Sequence, residues 1–153
     1  MTEESLLTDD VRALIGAASE AAPVQVTAVA VRRAGDVYYG RPGAVPPAGE
    51  PVPGIAIAGL ETGSTRLNIP DLMPNSVLIS NEWEFERPLR MGEELMARSR
   101  LADISERFGG KFGYSIYIRT DVEFSDSEGA LVARASSTLM QYDPRNAREG
   151  GGE

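Results

Sequence analysis

Acid–base chemistry in this chain would have to run on carboxylates. The sequence holds 23 aspartates and glutamates, 15 lysines and arginines, no histidine and no cysteine. Lacking histidine, it has no imidazole base near neutral pH, no imidazole metal ligand and no serine–histidine triad. Lacking cysteine, it has no thiolate nucleophile, thiolate metal site or disulfide. Carboxylate pairs can do acid–base work, as glycosidases demonstrate, yet no pair here sits in a recognisable setting. No metal site and no cofactor is expected.

The remaining polar candidates each carry a plainer reading beside the chemical one. Asp36 could act as an acid, or be a turn aspartate beside Gly35, the favoured reading. Arg41 could hold a carboxylate or phosphate, or be a solvated loop arginine. Arg107 and Lys111 flank Gly109-Gly110 and could hold a phosphate, though a bulge between strands is the default for such a pattern. Trp83 and Phe85 could line an apolar tunnel, although alternating aromatics on a strand are more often core. Glu82, Glu84 and Glu86 form an acidic stripe that reads as a solvated sheet face rather than a metal site.

A formal net charge of −8 argues against nucleic acid and anionic lipid as partners. Arginines and lysine still cluster locally at Arg32-Arg33, Arg98 with Arg100, and Arg107 with Lys111, so an anionic small molecule remains open. The start, MTEESLLTDDV, carries acids where a signal peptide carries bases. No segment reaches the roughly 20 apolar residues of a membrane span. A cytoplasmic protein without membrane insertion is the expectation.

The chain's 153 residues fit one domain. Residues 1–7 are expected to be flexible, residues 8–142 to form the domain, and residues 143–153, DPRNAREGGGE, to be a disordered tail. Thr8 can cap a helix whose stripe is Val11, Leu14 and Ile15. Thr27 can cap a second, over Ala28 to Ala34. Residues 40–54 hold five of the ten prolines and read as loop. GIAIAGLE, residues 54–61, is either a short buried helix or a strand.

Four strands follow. The first runs from Asn81 and stops at Pro88, with Trp83 and Phe85 on one face. Arg90-Met91-Gly92 is a turn, and Glu93 to about Glu106 is the second strand, with Leu95, Ala97, Ser99 and Leu101 on one face. Phe112 to Phe124 is the third, with Phe112, Tyr114, Ile116 and Ile118 on one face and Tyr117 on the other. Ser125 to Gly129 is a hairpin loop, and Leu131 to Tyr142 is the fourth. Helices followed by consecutive hairpins give an α+β class with an antiparallel sheet.

Taken in order, these segments resemble a family. IPDLMPNSVLISNEWEFERPLRMGEEL, residues 69–95, is similar to the MaoC-like dehydratase/hydratase N-terminal domain, a FAS1-like dehydratase of the hot-dog superfamily. The matching features are an aromatic strand at Trp83 and Phe85, the Arg87-Pro88 pair, the Gly92 turn and the acid Glu93. Residues 109–142 and the Pro46-Pro47 loop extend the likeness over residues 5–142. It implies a hot-dog fold, an antiparallel sheet wrapped around a central helix and paired with a second hot-dog.

The resemblance also implies chemistry on acyl-thioesters of coenzyme A or acyl carrier protein. Members add water to a 2-enoyl thioester or remove it from a 3-hydroxyacyl one, using an aspartate and a histidine in G-D-x-N-P-x-H. The comparable stretch here is Gly35-Asp36-Val37-Tyr38-Tyr39-Gly40-Arg41. Tyr38 and Tyr39 stand at the Asn and Pro places and Arg41 at the histidine's. Arginine stays protonated and cannot be a base, which leaves Asp36 at most a remnant.

The expectation is therefore a chain without catalytic residues of its own: a non-catalytic subunit of a heteromeric enoyl-CoA hydratase or 3-hydroxyacyl-thioester dehydratase. It would shape the acyl cavity for fatty-acyl or steroid side-chain thioesters, with Arg41, Trp83, Arg107 and Lys111 as the substrate-binding candidates. Its partner would be a MaoC-like hot-dog subunit carrying the Asp/His pair. Alone, it is expected to be a homodimer. A homodimeric acyl-thioester-binding module without turnover and a carboxylate-dependent hot-dog thioesterase are the alternatives.

Overall fold

The structure, a computed structural model, describes residues 4–62 and 67–146. In chain order it comprises α1 (Asp9–Arg12), β1 (Ala22–Gln25), α2 (Ala28–Tyr39), a 3-10 helix (Gly54–Gly59), β2 (Asn75–Phe85), β3 (Glu94–Arg107), β4 (Ser115–Ser125), β5 (Leu131–Tyr142) and a closing 3-10 turn (Pro144–Asn146). The strands form one antiparallel sheet in the order β1-β3-β4-β5-β2. The fold is an α+β hot-dog. No helix among the described residues is long and apolar enough to cross a membrane.

Alternation accounts for the inner face of the sheet. Leu95, Ala97, Ser99 and Leu101 all point inward from β3 and are buried. Leu95 and Ala97 share one core with Phe124 of β4, Ala133 of β5 and Ala30 and Val31 of α2, while Leu101 belongs to a second. The 3-10 helix adds Ala56 and Ile57 to the same core. A second core gathers Ile104, Tyr114, Ile116 and Ile118 at the other end of the sheet.

Several elements depart from the sequence expectation. Only four residues of the first helix form, and 16–19 instead run along the free edge of β3, with Gly16 and Ser19 amides donating to Leu101 and Ser99 carbonyls. That leaves Leu14 and Ile15 exposed rather than in a stripe. β1 was not anticipated; it is only four residues long and contains Pro23. β2 begins at Asn75, six residues before Asn81, because its Val77-Leu78-Ile79 run belongs to an edge strand with a bulge between Leu78 and Ser80, which hides the alternation. β4 begins at Ser115 rather than Phe112, as Gly113 turns the chain first. Residues 54–59 settle as a 3-10 helix.

Residues near both ends make contacts with the domain. Leu7 is buried in the second core, the Leu6 amide donates to the Tyr114 hydroxyl at 2.9 Å, and that hydroxyl donates to Glu106. Asp143 is buried and paired with Arg145 at 2.6 Å within the closing turn. The rest of the expected flexible ends, residues 1–3 and 147–153, lies outside the described residues.

Candidate functional site

The Gly35–Arg41 stretch is helical for most of its length. α2 runs to Tyr39, and Gly40 ends it in the left-handed conformation, φ 68°, with its amide on the Asp36 carbonyl. Asp36 therefore sits in the last turns of a helix, which overturns the turn reading. The glycine before it is there for space. A methyl on Gly35 would run into the backbone of Gly43, and one on Gly43 would come within 2.6 Å of the Val31 carbonyl. The Gly-Asp pair thus serves the packing of loop 40–43 against α2.

Asp36 lines a cleft of about 320 Å³ with Val29, Arg32, Arg33 and Pro42. On the other side of Arg33 lies a second cleft, of about 430 Å³, between β1 and the start of α2, which includes Gln25, Thr27 and Glu61. Arg33 pairs with Glu61 at 3.5 Å, both side chains largely exposed. Arg41 follows the cap and is exposed. Arg32 and Arg33 share the first cleft with Asp36, and Arg33 reaches Glu61 beside the second. Such a set can hold charge but offers no acid–base couple for moving a proton.

Trp83 points inward from β2 and is half-buried against the main core. Tyr38 meets its ring edge-on, with centroids 5.9 Å apart. Next to Trp83 across the sheet lie Ala135 and Val122, and one row further Asn81, Ser137 and Thr120. The Ser137 hydroxyl donates to Asn81 Oδ1 at 2.8 Å. Leu78 and Leu139 form the next inner row. None of these eight residues is fully buried. This strip of apolar, polar and apolar rows lies between the two cores. Asn81 and Ser137 were missed as site candidates, although the two-residue spacing of Asn81 and Trp83 places them on one face.

Arg107 and Lys111 are not part of this region. Arg107 pairs with Ser115 and Trp83 aligns with Val122, seven residues along β4, or about 23 Å. The Arg107 guanidinium lies over the Tyr117 ring at 5.2 Å and the Lys111 ammonium over Phe112 at 5.8 Å. Gly109 and Gly110 both have positive φ, in keeping with a connection between strands.

The Arg-Pro, Gly and Glu features have a structural role. Glu93 accepts from Arg87 Nη1 at 3.0 Å, from Nη2 at 2.9 Å and from the Arg90 amide at 2.7 Å, tying the turn before β3. Burial pushes the Glu93 carboxyl up, but the Arg87 and Arg90 hydrogen bonds outweigh it and hold the group below the usual glutamate range. Those bonds hold Arg87 above its ordinary value in turn.

On the outer face, Arg134 pairs with Glu84 at 3.4 Å and Arg100 with Glu123 at 3.2 Å. The acidic stripe is thus surface, as expected. Among the described residues no cluster of three or more acids could hold a metal ion.

Comparisons with known proteins agree with this architecture. The model of the FAS1-like, dehydratase domain region matches residues 13–135. Among curated proteins, none matches. The ChsH1-ChsH2 complex from Mycobacterium tuberculosis is similar at 15% identity, over 90% of this chain and 95% of that one, with a TM-score of 0.55. The MaoC-like dehydratase from Rhodospirillum rubrum is similar at 15% identity, over 88% and 94%, with a TM-score of 0.50. The HadBC (3R-hydroxyacyl-ACP dehydratase) complex from Mycobacterium tuberculosis aligns at 22% identity with a TM-score of 0.35, and the chain spans 46% of that chain's length. With the family model covering most of its length on a shared hot-dog fold, this chain belongs to the FAS1-like dehydratase family of MaoC-like hot-dog proteins.

Proposed function

We propose that this chain is the non-catalytic subunit of a heteromeric enoyl-thioester hydratase or 3-hydroxyacyl-thioester dehydratase. The observation that carries the reading is a dehydratase-family chain with no histidine anywhere, whose Gly-Asp stretch ends in an exposed arginine. Water addition needs one group to take a proton from water and another to deliver one to carbon 2. A guanidinium does neither at neutral pH. The Asp/His pair would come from a second MaoC-like hot-dog subunit.

The inner strip supports a role in holding the acyl group. Trp83, Val122, Ala135, Leu78 and Leu139 offer an apolar strip on the inner face of the sheet. Fatty-acyl or steroid side-chain thioesters of coenzyme A or acyl carrier protein are the substrate classes this suits. A soluble two-subunit enzyme of the cytoplasm is the setting we propose.

Hydration of 2-enoyl-CoA tests the reading, measured with the pure chain and with the chain co-expressed beside a MaoC-like hot-dog subunit bearing G-D-x-N-P-x-H. The pure chain should be inactive and the pair active. Turnover by the pure chain that survives Asp36→Ala would refute the assignment.

A further inference from the structure

The inner strip is not apolar throughout. Trp83, Ala135 and Val122 form one row across β2, β5 and β4, and Leu78, Leu139 and Ile118 form another. Between them Asn81, Ser137 and Thr120 stand side by side on the same three strands. Solvent exposure does not account for this polar row, because Leu78 beside it is 50% exposed and apolar. Packing does not account for it either, since polar groups set among apolar neighbours cost free energy unless they are hydrogen-bonded.

The hydrogen bonds of the row are incomplete. The Ser137 hydroxyl donates to Asn81 Oδ1 at 2.8 Å. That bond engages the acceptor end of the amide and leaves its Nδ2 hydrogens to be given elsewhere. Among the described residues neither Asn81 Nδ2 nor the Thr120 hydroxyl has a hydrogen-bond partner. Both can be approached. Asn81 is exposed, and among the partly or fully buried described residues the enclosed side-chain polar atom without a partner is Arg134 Nε, not the Thr120 hydroxyl. An all-carbon chain laid along the strip would take water from both groups and return no hydrogen bond.

We propose that the Asn81–Ser137–Thr120 row selects an oxygenated acyl group, one that carries a hydroxyl or keto oxygen between two apolar stretches. Rows two residues apart on a strand are separated by about 7 Å, so carbon on either side of that oxygen reaches the Trp83 row in one direction and the Leu78 row in the other. The oxygen is taken by Asn81 Nδ2 or by the Thr120 hydroxyl, which flank the Ser137 strand at about 5 Å to either side. Asn81 and Thr120 are then specificity residues. Ser137 is a positioning residue that turns the Asn81 amide so that its hydrogens face the ligand. The inference rests on the reading of the strip as the surface that holds the acyl group, and deepens it by naming the acyl chemistry.

Trp83 is the chain's one tryptophan and lies one row from Asn81, so its fluorescence reports on the strip itself. The test is a titration of the full chain with hexadecanoyl-CoA and with a positional series of its mid-chain hydroxy and keto esters, followed by that fluorescence. At least one oxygenated ester should bind about tenfold more tightly than hexadecanoyl-CoA, the worth of one recovered hydrogen bond. The Asn81→Leu/Thr120→Val double variant should reverse the order, tightening the plain ester and weakening the oxygenated one, which a general loss of folding cannot do. Equal binding of plain and oxygenated esters by wild type, or a preference that survives in the double variant, overturns the selection proposed here and leaves the non-catalytic reading standing. No Trp83 response to any ester, from the chain alone or in the heteromer, overturns it together with the acyl-holding role of the strip. The non-catalytic reading fails by a separate result, hydratase turnover by the chain alone.

Discussion

Tyr38 meets Trp83 edge-on, their ring centroids 5.9 Å apart and their planes at 81°. The contact joins the end of α2 to the edge strand β2, so the Gly-Asp stretch and the inner strip are held in register by two rings. Trp83 is half-buried, and truncating it should cost about 2–3 kcal/mol, below the 3–5 of a fully buried tryptophan. Tyr38→Leu should cost less, and a double-mutant cycle should give a coupling of about 0.5–1.5 kcal/mol. Urea melts of the four proteins measure all three quantities. Additive effects would mean the rings pack independently.

The Arg87–Glu93 pair predicts a pH dependence with a definite sign. Glu93 is held below its ordinary range in the folded chain. A depressed carboxylate contributes stability that is full above the unfolded glutamate pKa and is lost as pH falls through the folded value. Glu93→Gln should therefore lose about 1.5–3 kcal/mol at neutral pH, the worth of hydrogen bonds to a charged group. The gap between variant and wild type should close on acidification below the usual glutamate range. Melts across pH check this, and a gap that widens in acid contradicts the assigned shift.

How much of this was legible in the sequence depended on what each residue could reveal locally. β3 and β5 were readable because Leu95, Ala97, Ser99 and Leu101 alternate, and because Ser125 to Gly129 is turn chemistry. The first half of β2 was not, since a bulge in a largely exposed edge strand breaks the alternation. Asp36 was misread because Gly35 looks like a helix breaker, whereas it is needed for the close approach of Gly43. The separation of Lys111 from Trp83 is a matter of strand register, which residue types along the chain do not encode. The lack of an imidazole base was visible from composition alone.

Gly35 yields the next expectation. A methyl there overlaps the Gly43 backbone, which no rotamer change can relieve. Gly→Ala in a helix gains up to about 1 kcal/mol from propensity, but overpacking against backbone costs about 1–3. The net effect of Gly35→Ala should be destabilising, with loop 40–43 displaced from α2. Gly40→Ala tests a different cause, left-handed strain at the cap without a clash, and should cost about 1 kcal/mol. A Gly35→Ala protein as stable as wild type would refute the packing role assigned to this glycine.

Arg41→His would restore the missing residue type without restoring a site. Asp36 belongs to α2, its carbonyl committed to the Gly40 amide, while residue 41 lies beyond a left-handed cap and is exposed. No Asn-Pro pair shapes the path between them, because Tyr38 and Tyr39 continue the helix instead. Misplacement by about 1 Å can cost a hundredfold in rate. The single variant should remain inactive on 2-enoyl-CoA, followed by loss of the enoyl absorbance. In the active heteromer, Asp36→Ala in this chain should leave kcat within about twofold, because the proton-transfer groups are assigned to the other subunit. A large fall in kcat there, with the complex still assembled, would place Asp36 among the catalytic groups.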